Sequence, residues 1–469
     1  MHSLQFPAEF SEPASNPLLP SQSGNRVVNS TRMRIWHIAE TYPPNYGGGA
    51  SIYVQDICRS LADRGHDIRV LCTEDTEAEP YTLRTEHDGA VRVDRINLPY
   101  FRTEDPDGWR LFLSSWRRHE RRIGEIVRNL LSNWMPDLVH YSTTRPLGEE
   151  CLLTLRRAGV PVVGFLHEAW LICPRLMLLR SPTSEACAGP GPIRCAECLY
   201  SNYDGSHTRA LAKLPWRLLK LGVYPAYRIW RRSRAKDCLD GALGYSRFMV
   251  GMHEPHIQGH VDYVPLGINL SDRHTNSVLR PRTPLRFGFL AGFQLTKGIT
   301  DVLTAAASLK QDGLSFEIHV WGPNLESGVS ELSKRGLEER VFLRGMYAPN
   351  EMWSVYQEID VALMATTVCE PLGRIPLEAA AAGAPTIAPA IGGITETIRD
   401  DIDGLLYKFR DARDLEHKMR RVLQEPGLVG RLIDGLRPVQ DTRQRGEAVE
   451  AFYYRILGVK SHGAAAVAI

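Results

Sequence analysis

From Met33 onward, short apolar runs alternate with stretches whose apolar residues recur every three or four positions. MRIWHIAE, DIRVLC, VRVDRINL, DLVHYS, VPVVGFL, GALGYS and VDYVPL read as buried strands. Between the first two, ASIYVQDICRSLADRGH places Ala50, Val54, Ile57, Cys58 and Leu61 on one helical face, and Gly65 ends the helix. The polar stretch NLSDRHTNSVLRPRTP, with two prolines, interrupts this series. A second series follows, with LRFGFLAG, LSFEIHVWG, VFLRGMY, DVALMA and APTIAPA as strands and helices such as ITDVLTAAASLKQ and PNEMWSVYQE between them. After Asp411 the pattern is helical only. Strands that alternate with helices predict parallel sheets covered on both faces, so the expected fold class is α/β, with two Rossmann-like doubly wound domains.

The expected organisation is a disordered leader over residues 1–32, a first domain over 33–269, a second over 284–440, and a terminal helix with a tail over 441–469. The leader is rich in Pro, Ser and Asn, shows no period and lacks the apolar centre of a signal peptide. No apolar run is long enough to span a bilayer. Length alone, 469 residues, favours two domains. The 56 basic and 54 acidic residues nearly cancel, which argues against a general nucleic-acid binder. Nine cysteines, an odd number without a signal peptide, point to a reducing, cytoplasmic setting.

The chemistry concentrates in CEPLGRIPLEAAAAG, residues 369–383. DVALMA is a buried strand, so this segment opens at a carboxyl strand end, where open parallel sheets bind ligands. Pro376 suits a first helical turn and Gly383 a helix end. The amides of Gly373, Arg374 and Ile375 would then form an anion site fit for a diphosphate. Glu370 lies in the loop and Glu378 in the helix, placed to accept hydrogen bonds from hydroxyls at two ends of one ligand. Either glutamate alone reads as a solvated or dipole-stabilising carboxylate. Gly392 and Gly393, with Glu396 beyond, would admit a ligand close to the backbone. AGFQLTKGI adds Gly292 and Lys297 after the first strand of the same half, the lysine within reach of a phosphate.

Together these residues resemble the nucleotide-sugar half of retaining glycosyltransferases of family 4, with the GT-B fold. The Glu-x7-Glu pattern is matched by Glu370 and Glu378, the Lys-Gly turn by Lys297 and Gly298, and the Gly-Gly-x-x-Glu stretch by Gly392, Gly393 and Glu396. The resemblance runs from about Met33 to about Arg455. It implies two domains facing a cleft, with the terminal helix returning to the first. By it, Glu378 holds the nucleotide ribose, Glu370 contacts the transferred sugar and Lys297 neutralises the diphosphate. Many members carry an arginine near that lysine as a second phosphate cation; here the position holds Gly292. The implied activity is metal-independent, retaining transfer of a sugar from a nucleoside diphosphate to an acceptor hydroxyl, by front-face displacement. Two alternatives stand beside it: a sugar-nucleotide epimerase of the same architecture, and a nucleotide-sugar-binding protein without turnover. Base, sugar and acceptor stay open; a glycan, a lipid-linked glycan and a small metabolite are all compatible.

In the first half, TYPPNYGGGAS carries Gly47, Gly48 and Gly49 ahead of a helix. The dinucleotide spacing Gly-x-Gly-x-x-Gly is absent, and by the resemblance the loop faces donor and acceptor. His167 ends VPVVGFL and resembles the family histidine that faces the donor sugar; Glu168, His140 and Ser246 are weaker candidates. An insertion over about 168–208 holds Cys173, Cys187, Cys195 and Cys198, the last two spaced Cys-x-x-Cys. The pair suits one metal ion or a disulfide; four thiolates there could close a structural zinc site, and four free or oxidisable thiols are the plainer alternative. Two basic amphipathic stretches, WRLFLSSWRRHERRIGEIVRNLL and HTRALAKLPWRLLKLGVYPAYRIWRRSRAK, suit either ordinary packed helices or a peripheral contact with an anionic membrane.

Overall fold

The computed structural model describes residues 32–45, 49–98, 116–142, 147–173, 234–270 and 281–458, and between 173 and 234 residues 175–176, 178–180, 185, 187, 189–191, 193–195 and 197–198. The leader up to residue 31, Gly47, Gly48, most of the second basic stretch, residues 271–280 of the expected domain break, and the tail from 459 lie outside them.

The apolar runs become two sheets. The first is built from β1 (Arg34–Ile38), β2 (Asp67–Glu74), β3 (Leu83–Asp88), β4 (Val91–Asn97), β5 (Leu138–Tyr141), β6 (Val162–Leu166), β7 (Gly241–Gly244) and β8 (His260–Tyr263). Its order is β3-β4-β2-β1-β5-β6-β7-β8, and every pairing except antiparallel β3–β4 is parallel. The second contains β9 (Leu285–Phe289), β10 (Phe316–Trp321), β11 (Val341–Gly345), β12 (Val361–Leu363), β13 (Thr386–Pro389) and β14 (Gly404–Tyr407), all parallel, in the order β11-β10-β9-β12-β13-β14. Strand order therefore reverses between β1 and β5 in one sheet and between β9 and β12 in the other. Those two switch points open crevices at the carboxyl ends of the strands.

Helix α1 (Gly49–Asp63) buries Val54, Ile57, Cys58 and Leu61 against the first sheet, the face that the spacing predicts. Further helices used below are α2 (Arg247–His253), α3 (Ile299–Gln311), α4 (Arg374–Ala382) and α5 (Thr442–Ile456). Helix α5 packs on the first half. Its Arg445 is buried over the ring of Tyr53 and donates to the carbonyl of Val264, Glu450 takes His66 at 2.6 Å, and Tyr453 bonds His140. The chain crosses between halves where Ile268 N donates to Gln440 O at 2.9 Å. One apolar cluster runs through both halves: Trp170, Leu171 and Cys173 pack in the same core as Met364, Cys369, Ile391 and Ile394.

The helix Trp116–Asn133, from the first basic stretch, buries Ile123, Val127 and Leu131 in the core and leaves arginines such as Arg121 and Arg128 outside. Its apolar face is thus already used for packing. No helix among the described residues is long and apolar enough to cross a membrane.

Candidate functional site

The crevice of the second sheet gathers the predicted charges. After β9 the chain makes one 3-10 turn, Leu295–Lys297, and Gly298 reverses it at φ 80°. A Cβ on Gly298 would strike the carbonyl oxygen of Ala365, so only glycine lets this turn lie against the end of β12. Thr367 then zips the two loops together, its N and Oγ1 both donating to Thr296 O at 3.0 and 3.1 Å. The result is contact across the switch point: Lys297 Nζ sits 2.7 Å from Glu370 Oε1, which also accepts from Thr366 Oγ1 at 3.1 Å.

Helix α4 starts beside this pair. Gly373, at φ 88°, is its N-cap, and no side chain caps the first turn, so its leading amides point into the crevice. Glu378 is buried one turn in, accepting from Tyr356 OH at 3.0 Å and from Arg374 Nε. Arg374 reaches toward the first half, with Nη2 4.0 Å from Asp56 of α1 and its stem beside Gly49. Burial pulls its guanidinium pKa down, but Glu378 and Asp56 outweigh that and raise it. Its Nη1 is buried and makes no hydrogen bond. Burial lifts Asp56 to a pKa of about 6, against the opposing pull of Arg374 and Arg59.

The glycines at the crevice act differently from expectation. Gly292 has φ 65°, and a Cβ there would run into Pro323. No arginine side chain fits that position. Gly392 and Gly393 do lie close to backbone, but the backbone is the protein's own: a Cβ on either would strike the carbonyls of Glu370 and Pro371, and Gly393 N donates to Glu370 O at 3.1 Å. Their packing holds the Glu370 loop in place. Glu396 is also turned away from the crevice. Its carboxylate accepts from the backbone N of Arg247 and Phe248 at 2.8 and 2.6 Å, capping α2 in the other half beside Ser246, whose Oγ accepts from Met249 N.

In the first half, His167 follows β6 and stacks on Phe165 with ring centroids 5.1 Å apart. Its carbonyl accepts from Tyr245 OH at 2.8 Å, and Glu370 is near enough to Tyr245 to raise the phenol pKa behind the dominant effect of burial. A cavity of about 30 Å³ lies between the ends of β1, β5 and β6 and the start of α1, lined by Glu40, Ser51, Ser142 and His167. His140 is buried below, 4.9 Å from His37 between ring centroids and bonded to Tyr453, so it belongs to the core. Gly49 opens α1 on the same side, while Gly48 lies outside the described residues.

Two family models match the chain: "Glycosyl transferases group 1" over residues 271–437 and "Glycosyl transferase 4-like domain" over 48–194, together more than half of it. It belongs to the family 4 glycosyltransferases of the GT-B fold. Its activity is sugar transfer. Glycogen synthase of Mycobacterium tuberculosis (strain ATCC 25618 / H37Rv) is 22% identical over 408 residues, covering 85% of this chain and 88% of that one. D-inositol 3-phosphate glycosyltransferase of Arthrobacter sp. (strain FB24) is 26% identical over 418 residues, 84% of this chain and 86% of that one. The fold is shared with sucrose-phosphate synthase from Thermosynechococcus elongatus, at a TM-score of 0.61 and 17% identity over 91% of this chain and 96% of that one. It is shared too with Anabaena Alr3699/HepE in complex with UDP and glucose, at a TM-score of 0.56 and 14% identity over 90% of this chain and 99% of that one.

Three side chains of this glycosyltransferase's crevice escape sequence reading: Tyr356 and Thr366, which bind the two glutamates, and Asp56, which faces Arg374. Asp56 gave one signal, an acid between Val54 and Ile57 on a helix that buries both. The four insertion cysteines do come together, around one cavity of about 20 Å³. Among the described residues no three His, Cys, Asp or Glu side chains already stand in metal-holding geometry.

Proposed function

We propose that this glycosyltransferase takes its sugar from a nucleoside diphosphate and passes it, with retention at the anomeric carbon, to an acceptor hydroxyl held in the first half. One observation carries the reading: Lys297 and Arg374 flank the uncapped start of α4, and each is paired there with a carboxylate, Glu370 or Glu378. Both halves of that arrangement suit a donor. The lysine, the buried arginine with its unused Nη1 and the helix amides offer a diphosphate cationic and N–H partners. The glutamates, once released, accept from hydroxyls, Glu378 from ribose and Glu370 from the transferred sugar. The exchange is cheap at Lys297, which is more than a third exposed, because such ion pairs contribute only about 0–1 kcal/mol. The UDP and UDP-glucose complexes of Anabaena HepE, of like fold, support a nucleoside diphosphate as the donor's handle.

Catalysis follows from placement. Charge that grows on the departing diphosphate meets Lys297, Arg374 and the α4 amides, which are oriented before reaction begins. The chain thus supplies this neutralisation from its own groups, a metal-independent design. The leaving phosphate oxygen takes the acceptor's proton as the new bond forms on the same face. His167, beside the cavity at the end of β6, faces the transferred sugar and fixes it against the acceptor. The acceptor belongs to glycan, glycolipid or glycosylated-metabolite synthesis.

Thermal shift with UDP, GDP and ADP tests the reading directly. One of them should stabilise the protein, and Glu378→Ala should abolish that shift. Stabilisation of equal size in the variant would count against it, and conversion of the donor without acceptor would favour an epimerase.

A further inference from the structure

In the insertion between β6 and β7, Leu178 and Leu179 are buried in the core, and all four cysteines line one small cavity. Local structure explains how. Trp170, Leu171 and Ile172 anchor the chain in the core just before Cys173. Backbone bonds from Arg180 N to Glu185 O and from Cys187 N to Leu178 O, 2.8 and 2.7 Å, fold the next stretch back on itself and return Cys187 toward Cys173. Leu176 and Leu178 take positive φ, 68° and 51°, so this bend is held against the preference of a branched side chain. Gly191 N donates to Cys195 Sγ at 3.4 Å and Arg175 Nη1 lies 3.8 Å from Cys198 Sγ, so two of the sulfurs already receive N–H groups.

We propose that Cys173, Cys187, Cys195 and Cys198 bind one zinc ion as a tetrahedral tetrathiolate that staples the insertion to the loop carrying Glu370. Four sulfurs around one small cavity are the donor set of a tetrahedral zinc site, and each would close in to about 2.3 Å on the ion. None of the nine cysteines forms a disulfide among the described residues. Cys187 Sγ and Cys198 Sγ are turned toward the carbonyls of Gly189 and Leu179, and rotation about χ1 would swing each toward the cavity that it lines. Charge supports the choice of ligand. Zinc on four thiolates makes a net negative centre, and Arg175, Arg180 and Arg194 all line the same cavity. Binding would release the four thiol protons to solvent, with no change of oxidation state. The staple reaches the active site through packing: Cys173 shares a core with Cys369, the residue before Glu370, and with Met364 and Ile391 around that loop.

Metal analysis of the full chain, purified without chelator from zinc-supplemented culture, tests this independently of activity. About one zinc per chain is expected, with stepwise release as a mercurial titrates about four thiols. The double variant Cys195→Ser/Cys198→Ser should lose the metal, and Cys238→Ser, in the same half, should keep it. Should the double variant fail to fold, the single variant Cys198→Ser at the half-buried position, checked by circular dichroism, reports instead. Zinc below about a tenth per wild-type chain, unchanged zinc in the cysteine variants, or a Cys195–Cys198 disulfide after rapid alkylation would overturn the proposal.

Discussion

The carboxyl edges of the two sheets share a topology and differ in what they carry. On the second sheet, groups from the switch point are charged and meet in pairs, Lys297 with Glu370 and Arg374 with Glu378. On the first, the equivalent strands end in rings: His37 against His140, Phe165 against His167. Burial keeps His37 neutral, with a pKa of about 3 against an ordinary 6.5. Under the function proposed above, one edge would exchange ion pairs for a ligand's charges and the other would position sugar and acceptor, so two crevices of the same architecture would divide the labour of one reaction.

The sharpest way to break that division is at Lys297. Lys297→Ala should lower kcat/KM by about 10²–10³-fold, most of it in kcat, because the positive charge matters most when the leaving group ionises. Steady-state kinetics with a saturating acceptor would show it; an effect confined to KM would place the lysine in ground-state binding. A smaller, different loss is expected on the other edge. His167→Ala should reduce turnover roughly 10–10²-fold while leaving the nucleoside diphosphate's affinity unchanged by calorimetry. Loss of nucleotide affinity there would erase the contrast between the edges.

The halves also touch through Glu396, which caps α2 from across the molecule. Glu396→Ala should cost about 1 kcal/mol in chemical denaturation, with nucleotide affinity retained. An unchanged midpoint would make the cap incidental. The smallest effect concerns Asp56, which Arg374, Arg59, Glu378 and Arg445 all influence. Its folded pKa of about 6 stands above the ordinary 3.8, so the folded state keeps a proton that the unfolded state has lost. The stability it contributes is therefore complete below pH 3.8 and is lost as pH rises through about 6. Relative to Asp56→Asn, the wild type should lose melting temperature between those values. Parallel melting curves would refute the buried carboxyl.

What the sequence discloses and what it hides follow from range. Strands with continuous apolar runs and helices with one apolar face are legible because their signal is local. β3 (Leu83–Asp88) is not, since LRTEHD pairs on one side only and stays largely exposed, with no alternation to betray it. β14 (Gly404–Tyr407) also escapes, although it is as long as β5, β7 and β8. At the site, the spacing of Glu370 and Glu378 and the Lys297–Gly298 turn are visible, because each depends on one strand end and one helix start. Tyr356 and Asp56 reach the site from other elements, 22 positions before Glu378 in one case and from another half in the other. The roles of Gly292, Gly392 and Gly393 needed coordinates, because a missing side chain looks the same whether a ligand or a neighbouring carbonyl takes the space.

One feature of α5 bears on how the protein is made. Arg445, Glu450 and Tyr453 complete the interior of the first half, yet they leave the ribosome after everything else described here. The nascent first half must wait, with part of its interior open, while the second is synthesised and can close on its own. Premature termination near residue 440 would thus harm the portion of the polypeptide farthest from the break.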